Sequence, residues 1–244
     1  MNARAAALAL CLAMMPAQAV ETLAGFAPSR LQPGGALPPD WRPIASPKIP
    51  RHTRYSLVAD EGATVLRAES EQSMSSLARS IDIDPARHPR LRWRWKVENL
   101  VSGSDMYSKR GDDFPVRVYV FFDVDIGGLP FSQRLKIRLA RALYGSDVPL
   151  GALCYVWATR HPAGASTWNA YTDRVRMIVA QSGERFVGTW VTIERNVADD
   201  YRLAFGAEPP RITGVAVATD TDNTGERAVA YYGDIEFLEV QAGR

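Results

Sequence analysis

Between Arg211 and Val240 the chain reads RITGVAVATDTDNTGERAVAYYGDIEFLEV, two strand-like runs joined by an acidic loop that contains Gly225. In the second run Val229, Tyr231, Gly233, Ile235 and Phe237 fall on one side of a two-residue alternation, with Tyr232, Asp234 and Glu236 on the other. A period of two marks a sheet with one packed face and one face left for solvent or ligand. The same period recurs upstream. Strand-like segments stand at Arg54–Val58, Thr64–Ala68, Ser75–Ile83, Leu91–Asn99, Val116–Asp123, Leu153–Thr159, Arg174–Gln181 and Phe186–Arg195, separated by turn residues. With the final pair they make about ten short strands, which predicts an all-β, antiparallel, jelly-roll-like sandwich.

One short amphipathic helix interrupts them. In FSQRLKIRLARALYG, Phe131, Leu135, Leu139 and Leu143 recur every four residues, and Gly145 supplies a stop. Arg134, Arg138 and Arg141 make it basic, but it is too short to anchor anything alone and is expected to cap an open end of the sandwich. Ahead of the strands, Pro33, Pro38, Pro39, Pro43 and Pro47 mark residues 20–50 as an extended arm, leaving 51–244 as a single domain.

The first 19 residues combine Arg4, an apolar run from Ala5 to Met15 and the small-x-small site Ala17-Gln18-Ala19. This is the pattern of a signal peptide cleaved after Ala19. The run is shorter than the roughly 20 residues of a membrane span, and Leu10 stands where a lipoprotein would place a small residue before Cys11. A periplasmic or secreted bacterial protein, soluble and without a transmembrane segment, is therefore expected. Cleavage removes Arg4 alone among the charges, leaving 28 basic against 27 acidic residues. So even a balance speaks against nucleic acid as a partner. Cys154 is then the sole cysteine, so no internal disulfide can form, and its place in LCYVWAT reads as a buried, inert thiol.

Alternation also sorts the candidate site residues. Leu91, Trp93, Trp95 and Val97 oppose Arg92, Arg94 and Lys96. Val116, Val118, Val120 and Phe122 oppose Arg117, Tyr119, Phe121 and Asp123, while Val175, Met177 and Val179 oppose Arg174 and Arg176. If these strands share one sheet, its open face carries arginine and tyrosine in rows. Arg92, Arg94, Arg117, Tyr119, Arg174, Arg176 and Tyr232 are then the candidate ligand contacts. Guanidinium pairs suit uronate, sulfate or phosphate groups, so a saccharide or another polar or acidic ligand is expected. The competing account is that these charges merely keep the face soluble.

Two acidic loops add a second candidate: KRGDDFP, with Asp112 and Asp113, and ATDTDNTGE, with Asp220, Asp222, Asn223 and Glu226. Asp220, Asp222 and Asp234 are the candidate ligands for calcium, a cation that takes oxygen donors. A hydrogen-bonded turn built from Asp and Asn is the alternative. The loop is not an EF-hand, since Thr224 and Tyr231 occupy its positions five and twelve.

Signals for catalysis are sparse. His52, His88 and His161 lack metal-ligand spacing, and the chain has no Cys-x-x-Cys, no Gly-x-Ser-x-Gly elbow and no Gly-rich phosphate loop. A hydrolase or lyase acting on envelope polysaccharide, through Asp112, Asp113 or Asp234 with a nearby Arg or Tyr, stays open. So does a structural envelope protein with a protein partner.

The runs HTRYSLVAD, LRWRWKVENL, KRGDDFPVRVYVFFD, NAYTDRVRMIVAQSG and GVAVATDTDNTGERAVAYYGDIEF resemble an exported bacterial family, domain of unknown function 3047, from about Trp41 to Phe237. The resemblance implies no assigned activity and no catalytic residues. More loosely, Tyr232–Phe237 is similar to the closing strand of galactose-binding-like jelly rolls, in which an Asp–Ile pair, here Asp234 and Ile235, stands near a calcium. A non-catalytic binding module is the leading expectation.

Overall fold

Strands form wherever the two-residue period runs, and in three places where it is too brief to see. The computed structural model describes residues 22–125, 127 and 150–239. The expected signal peptide and the helix expected from Phe131 to Gly145 lie outside the described residues. The strands are β1 (Thr22–Phe26), β2 (Trp41–Ile44), β3 (Arg54–Asp60), β4 (Ala63–Glu71), β5 (Ser76–Ile83), β6 (Arg90–Val97), β7 (Arg117–Phe122), β8 (Ala152–Ala158), β9 (Ser166–Asn169), β10 (Thr172–Ser182), β11 (Val191–Asn196), β12 (Ile212–Ala218) and β13 (Arg227–Leu238). One sheet has six strands, ordered β11-β6-β13-β4-β3 with β1 also on β13; the other has seven, ordered β2-β5-β12-β7-β8-β10-β9. The chain crosses repeatedly between the sheets, staying in one sheet for β3 and β4 and in the other from β7 to β10, in a jelly-roll-like sandwich. Among the described strands, neighbours are antiparallel except β8 and β10, which run parallel.

Leu91, Trp93, Trp95 and Val97 of β6 meet Val118, Val120 and Phe122 of β7 and Leu153, Tyr155 and Trp157 of β8 in the sandwich core. Strand β8 is buried along both faces. Its Ala152, Cys154, Val156 and Ala158 join Met106, Phe114, Val175, Met177 and Val179 in a second apolar cluster on the outside of the seven-stranded sheet. That cluster corrects the reading of β10. Val175, Met177 and Val179 face outward and Ile178 faces the core, so Arg174 and Arg176 lie on the opposite face from Arg117 and Tyr119. Alternation separates two faces without saying which one is inside.

Strand β13 carries a second correction. Its pairing with β6 slips between Tyr232 and Ile235. Ala230 and Tyr232 point into the core before the slip, and Ile235 and Phe237 after it. A bulge adds a residue and shifts the phase of the strand. Tyr232 is thus a core residue, 1 % exposed, donating its hydroxyl to the Ala218 carbonyl at 2.5 Å. Both β1 and β2 come from the Pro-rich arm, and the arm buries Phe26 against Trp41, ring centroids 4.6 Å apart.

The described α-helix, α1, runs Val197–Phe205. Asn196 Oδ1 accepts from the Ala198 and Asp199 amides, both at 3.2 Å, and Gly206 at φ 68° ends the helix. Its Tyr201 packs on Phe122 at 4.5 Å. Among the described residues no helix is long and apolar enough to cross a membrane.

Candidate functional site

At the start of β7 an arginine points outward and is nonetheless 2 % exposed. A buried guanidinium must find partners, because desolvating an unpaired charge is costly. Arg117 finds them in the two loops that flank it. Its Nε donates to Asp220 Oδ1 at 3.0 Å, and Nη2 lies 2.7 Å from Asp220 Oδ2. The same Nη2 reaches Asp112 Oδ1 at 3.0 Å and the Asp112 carbonyl at 2.5 Å. The Phe114 amide completes Asp220 Oδ1 at 2.9 Å.

Around this pair the acids that the sequence set in separate loops converge. Asp113 Oδ1 accepts from Asn223 Nδ2 at 3.0 Å, and Oδ2 accepts from the Thr224 amide and hydroxyl at 2.6 and 2.7 Å. Asp112 Oδ2 accepts from Asn169 Nδ2 at 2.7 Å. Exposed Tyr171 donates its hydroxyl to Asn223 Oδ1 at 2.7 Å, tying the β9–β10 turn to the acidic loop. Burial pushes the Asp220 carboxyl up to about 7, with Asp113 and Asp112 adding to it and Arg117 opposing. Asp222 is also raised, first by burial and then by Asp113.

Carboxylate oxygens of Asp113, Asp220 and Asp222 lie within 4.8 Å of one another, the one such trio among the described residues. Asp113 and Asp220 already give both oxygens to protein donors. Asp222 has a 3.5 Å contact from Asn223 Nδ2 and a bond from its own backbone amide. Asp234 is not in the trio. It sits on β13 in the other sheet, accepting from the Ser29 amide at 3.0 Å and hydroxyl at 2.5 Å.

Beside the acids opens a cleft of about 710 Å³. Tyr119, Phe121 and Val175 line it from the sheet with Asn169 at the end of β9, Ile44, Lys48 and Ile49 from the arm, and Asp112, Tyr171, Asp222 and Asn223 from the loops. The rings of Tyr119 and Phe121 are nearly parallel, 8° apart, with centroids 5.9 Å apart. Hydrogen-bonding groups at one end of an apolar cavity are the usual makings of a small-molecule site.

The seven arginine and tyrosine candidates therefore divide. Arg117 and Tyr119 belong to the cleft. Arg92 and Arg94 are on β6, in the other sheet. Arg92 Nη2 pairs with Glu236 Oε2 at 2.8 Å, and Arg94 lies 4.6 Å over the Trp190 ring. Arg176 lies 5.2 Å over Trp168 and donates to Ser166 Oγ at 2.7 Å, and Arg174 is 3.6 Å from Asp173. Sequence reasoning did not single out Asn169 or the arm residues. Their only sequence signal was polarity in a turn and apolar residues between prolines, which any loop can show.

No curated protein matches the chain. Among solved structures it is similar to the family 30 carbohydrate-binding module of the cellulosomal cellulase Cel9D-Cel44B of Clostridium thermocellum, at 11 % identity and TM-score 0.44, over 91 % of this chain and 99 % of that one. It is also similar to the glycoside hydrolase domain of Endo-D from Streptococcus pneumoniae R6, at 10 % identity and TM-score 0.38, over 84 % of this chain and 22 % of that one. A third is the cellulose induced protein Cip1, at 12 % identity and TM-score 0.34, over 84 % and 94 %. Sequence is more specific: matched from residue 39 to residue 236, the chain belongs to the family described as protein of unknown function, DUF3047.

Proposed function

We propose that this is an exported, non-catalytic binding module that holds a saccharide in the cleft beside Arg117. The observation that carries the reading is the union, in one cavity, of Tyr119, Phe121 and Tyr171 with Asp112, Asn169, Asp222 and Asn223. Rings accept the apolar face of a sugar, and carboxylates and amides accept or donate to its hydroxyls. Export rests on the leader pattern of residues 1–19. Titrating envelope glycans into the wild type, Tyr171→Ala and Arg94→Ala tests the site. Tyr171→Ala should weaken binding on the order of tenfold, with Arg94→Ala unchanged. The reverse pattern would move the site to the other sheet.

A second reading, hydrolysis or elimination on a polysaccharide, has the clustering of Asp112 and Asp113 beside Asp220 in its favour, since an acid near 7 suits proton transfer. It fits less well because both Asp220 oxygens are engaged by Arg117 and Phe114. Release of reducing ends or unsaturated products on incubation would favour it over binding.

A further inference from the structure

Outward residues of β7 change character along the strand. Arg117 sits among the carboxylates, Tyr119 follows, and Phe121 lies four residues on, about 13 Å at the strand's rise. Phe121 stands in register with Ala152 of β8, and Ala152 with Val175 of β10, so this end of the cleft floor is apolar across three strands. On the other side Gly214 pairs with Phe121 and has no side chain to contest the space: a Cβ there would stand 3.2 Å from the Phe121 ring. The facing wall carries apolar side chains as well, interspersed with Ser46 and Lys48. Ile44 and Ile49 of the arm and Met74 before β5 line it, each only half-buried. Half-exposed apolar side chains from several segments, turned to one cavity, mark a surface that awaits an apolar partner.

The polar end has its own preference. Asp112, Asp113 and Asp220 surround Arg117, whose guanidinium is already shared between Asp112 and Asp220. Asp222, lining the cleft next to them, has the weakest side-chain donor of the four acids. Hydroxyl or amine donors are welcome at this end, and an added carboxylate or sulfate is not. The sequence leaves a saccharide or another polar or acidic ligand open, and at this site the charge of Arg117 is already met by Asp112 and Asp220.

Resting on the saccharide reading above, we propose that the occupant is amphipathic: a donor-rich, non-anionic sugar head at Asp222, Asn223 and Asn169, bearing an alkyl or acyl chain that runs over Phe121 toward Ile49 and Met74. Each methylene laid on the apolar wall contributes about a fourfold gain in affinity. Methyl, hexyl and octyl glucosides, and octyl glucuronide, are the probes, all used below their micelle concentrations in calorimetric titration of the full chain. Octyl glucoside should bind at least about a hundredfold more tightly than methyl glucoside, and more tightly than octyl glucuronide. Ile49→Ser with Met74→Ser, both on the open wall, should flatten the dependence on chain length, bringing the octyl-to-methyl affinity ratio down toward one.

Oligosaccharide or methyl glucoside binding without any gain from the chain overturns this proposal and leaves the saccharide site standing. Octanol binding as tightly as octyl glucoside overturns both, because the head would then contribute nothing. A glucuronide that binds as well as the glucoside also overturns it, as does a wall double variant that keeps the full chain-length dependence. Circular dichroism and a cooperative thermal transition like the wild type's establish that the variant has folded.

Discussion

Asp220 is where residue chemistry and fold meet most closely. Its carboxyl closes the acidic loop onto Arg117 and the Phe114 amide, where it is buried. Burial raises its proton affinity to about pH 7, well above the roughly 3.9 of an unfolded aspartate. A native group with a raised pKa stabilises fully below the unfolded value, and the advantage is lost as pH rises through the folded one. Stability should therefore decline between about pH 4 and 7, by an amount on the order of a few kcal/mol. Asp220→Asn keeps an acceptor for Phe114 and Arg117 while removing the titration. Its melting midpoint should change less over that interval than the wild type's, and parallel profiles would deny Asp220 the role. Asp222 is raised too, so some slope remains. Glu69 works in the opposite sense: Arg67 and Arg227 pull it down to about 2, and its contribution disappears only as pH falls below about 4. Cys154, pushed up to about 12 by burial, stays a thiol throughout.

At the scale of elements the site is made by loops that lock into one another. Glu226 accepts from the Ser102 and Gly103 amides at 2.9 and 2.7 Å, and the Asp105 amide donates to the Gly111 carbonyl at 2.7 Å. Gly111 lies directly before Asp112 and Asp113, where the backbone has no room for a side chain. A Cβ there would stand 2.7 Å from the Asp105 amide nitrogen and 2.8 Å from the Gly103 carbonyl. Neither can give way without opening the loop. Gly111→Ala should cost about 1–3 kcal/mol, seen as a midpoint lower by roughly 2–12 °C. It should also weaken ligand binding, since Asp112 moves with the loop. A midpoint within a degree of the wild type would show the loop to be more yielding than these contacts allow. The Glu226 contacts were not legible beforehand, because they join residues more than 100 positions apart. The strands were far more legible. Leu91, Trp93, Trp95 and Val97 pack inward as their alternation said. The bulge after Tyr232 and the outward apolar face of β10 broke the same rule, through geometry that leaves no mark in the letters.

For the molecule as a whole, the arm decides how much of the sandwich exists. The sequence suggested a Pro-rich segment without periodicity, and single short strands such as Trp41–Ile44 carry too few residues to show any. Yet β1 pairs with β13 and β2 with β5, one strand in each sheet. The arm also buries Phe26 and Trp41, and the Gly25 carbonyl accepts from Arg79 Nη1 at 2.9 Å. Two large side chains taken out of water contribute about 1.5–3 kcal/mol each. Their sum is a large share of the 5–15 kcal/mol by which a domain is ordinarily stable. Without β2, moreover, β5 becomes an open edge prone to pairing with other chains. A chain begun at Thr53 should therefore lose its cooperative thermal transition or aggregate, and Trp41→Ala alone should lower the urea midpoint with little change in slope. If the shortened chain melts as sharply and as high as the full one, the arm is a covering, and the sandwich stands on its remaining strands. The proposed ligand site would still depend on it, because Ile44 and Ile49 line the cleft. Stability and binding thus separate the two roles of one segment, and Trp41→Ala, which leaves those wall residues in place, is the variant that should affect the first far more than the second.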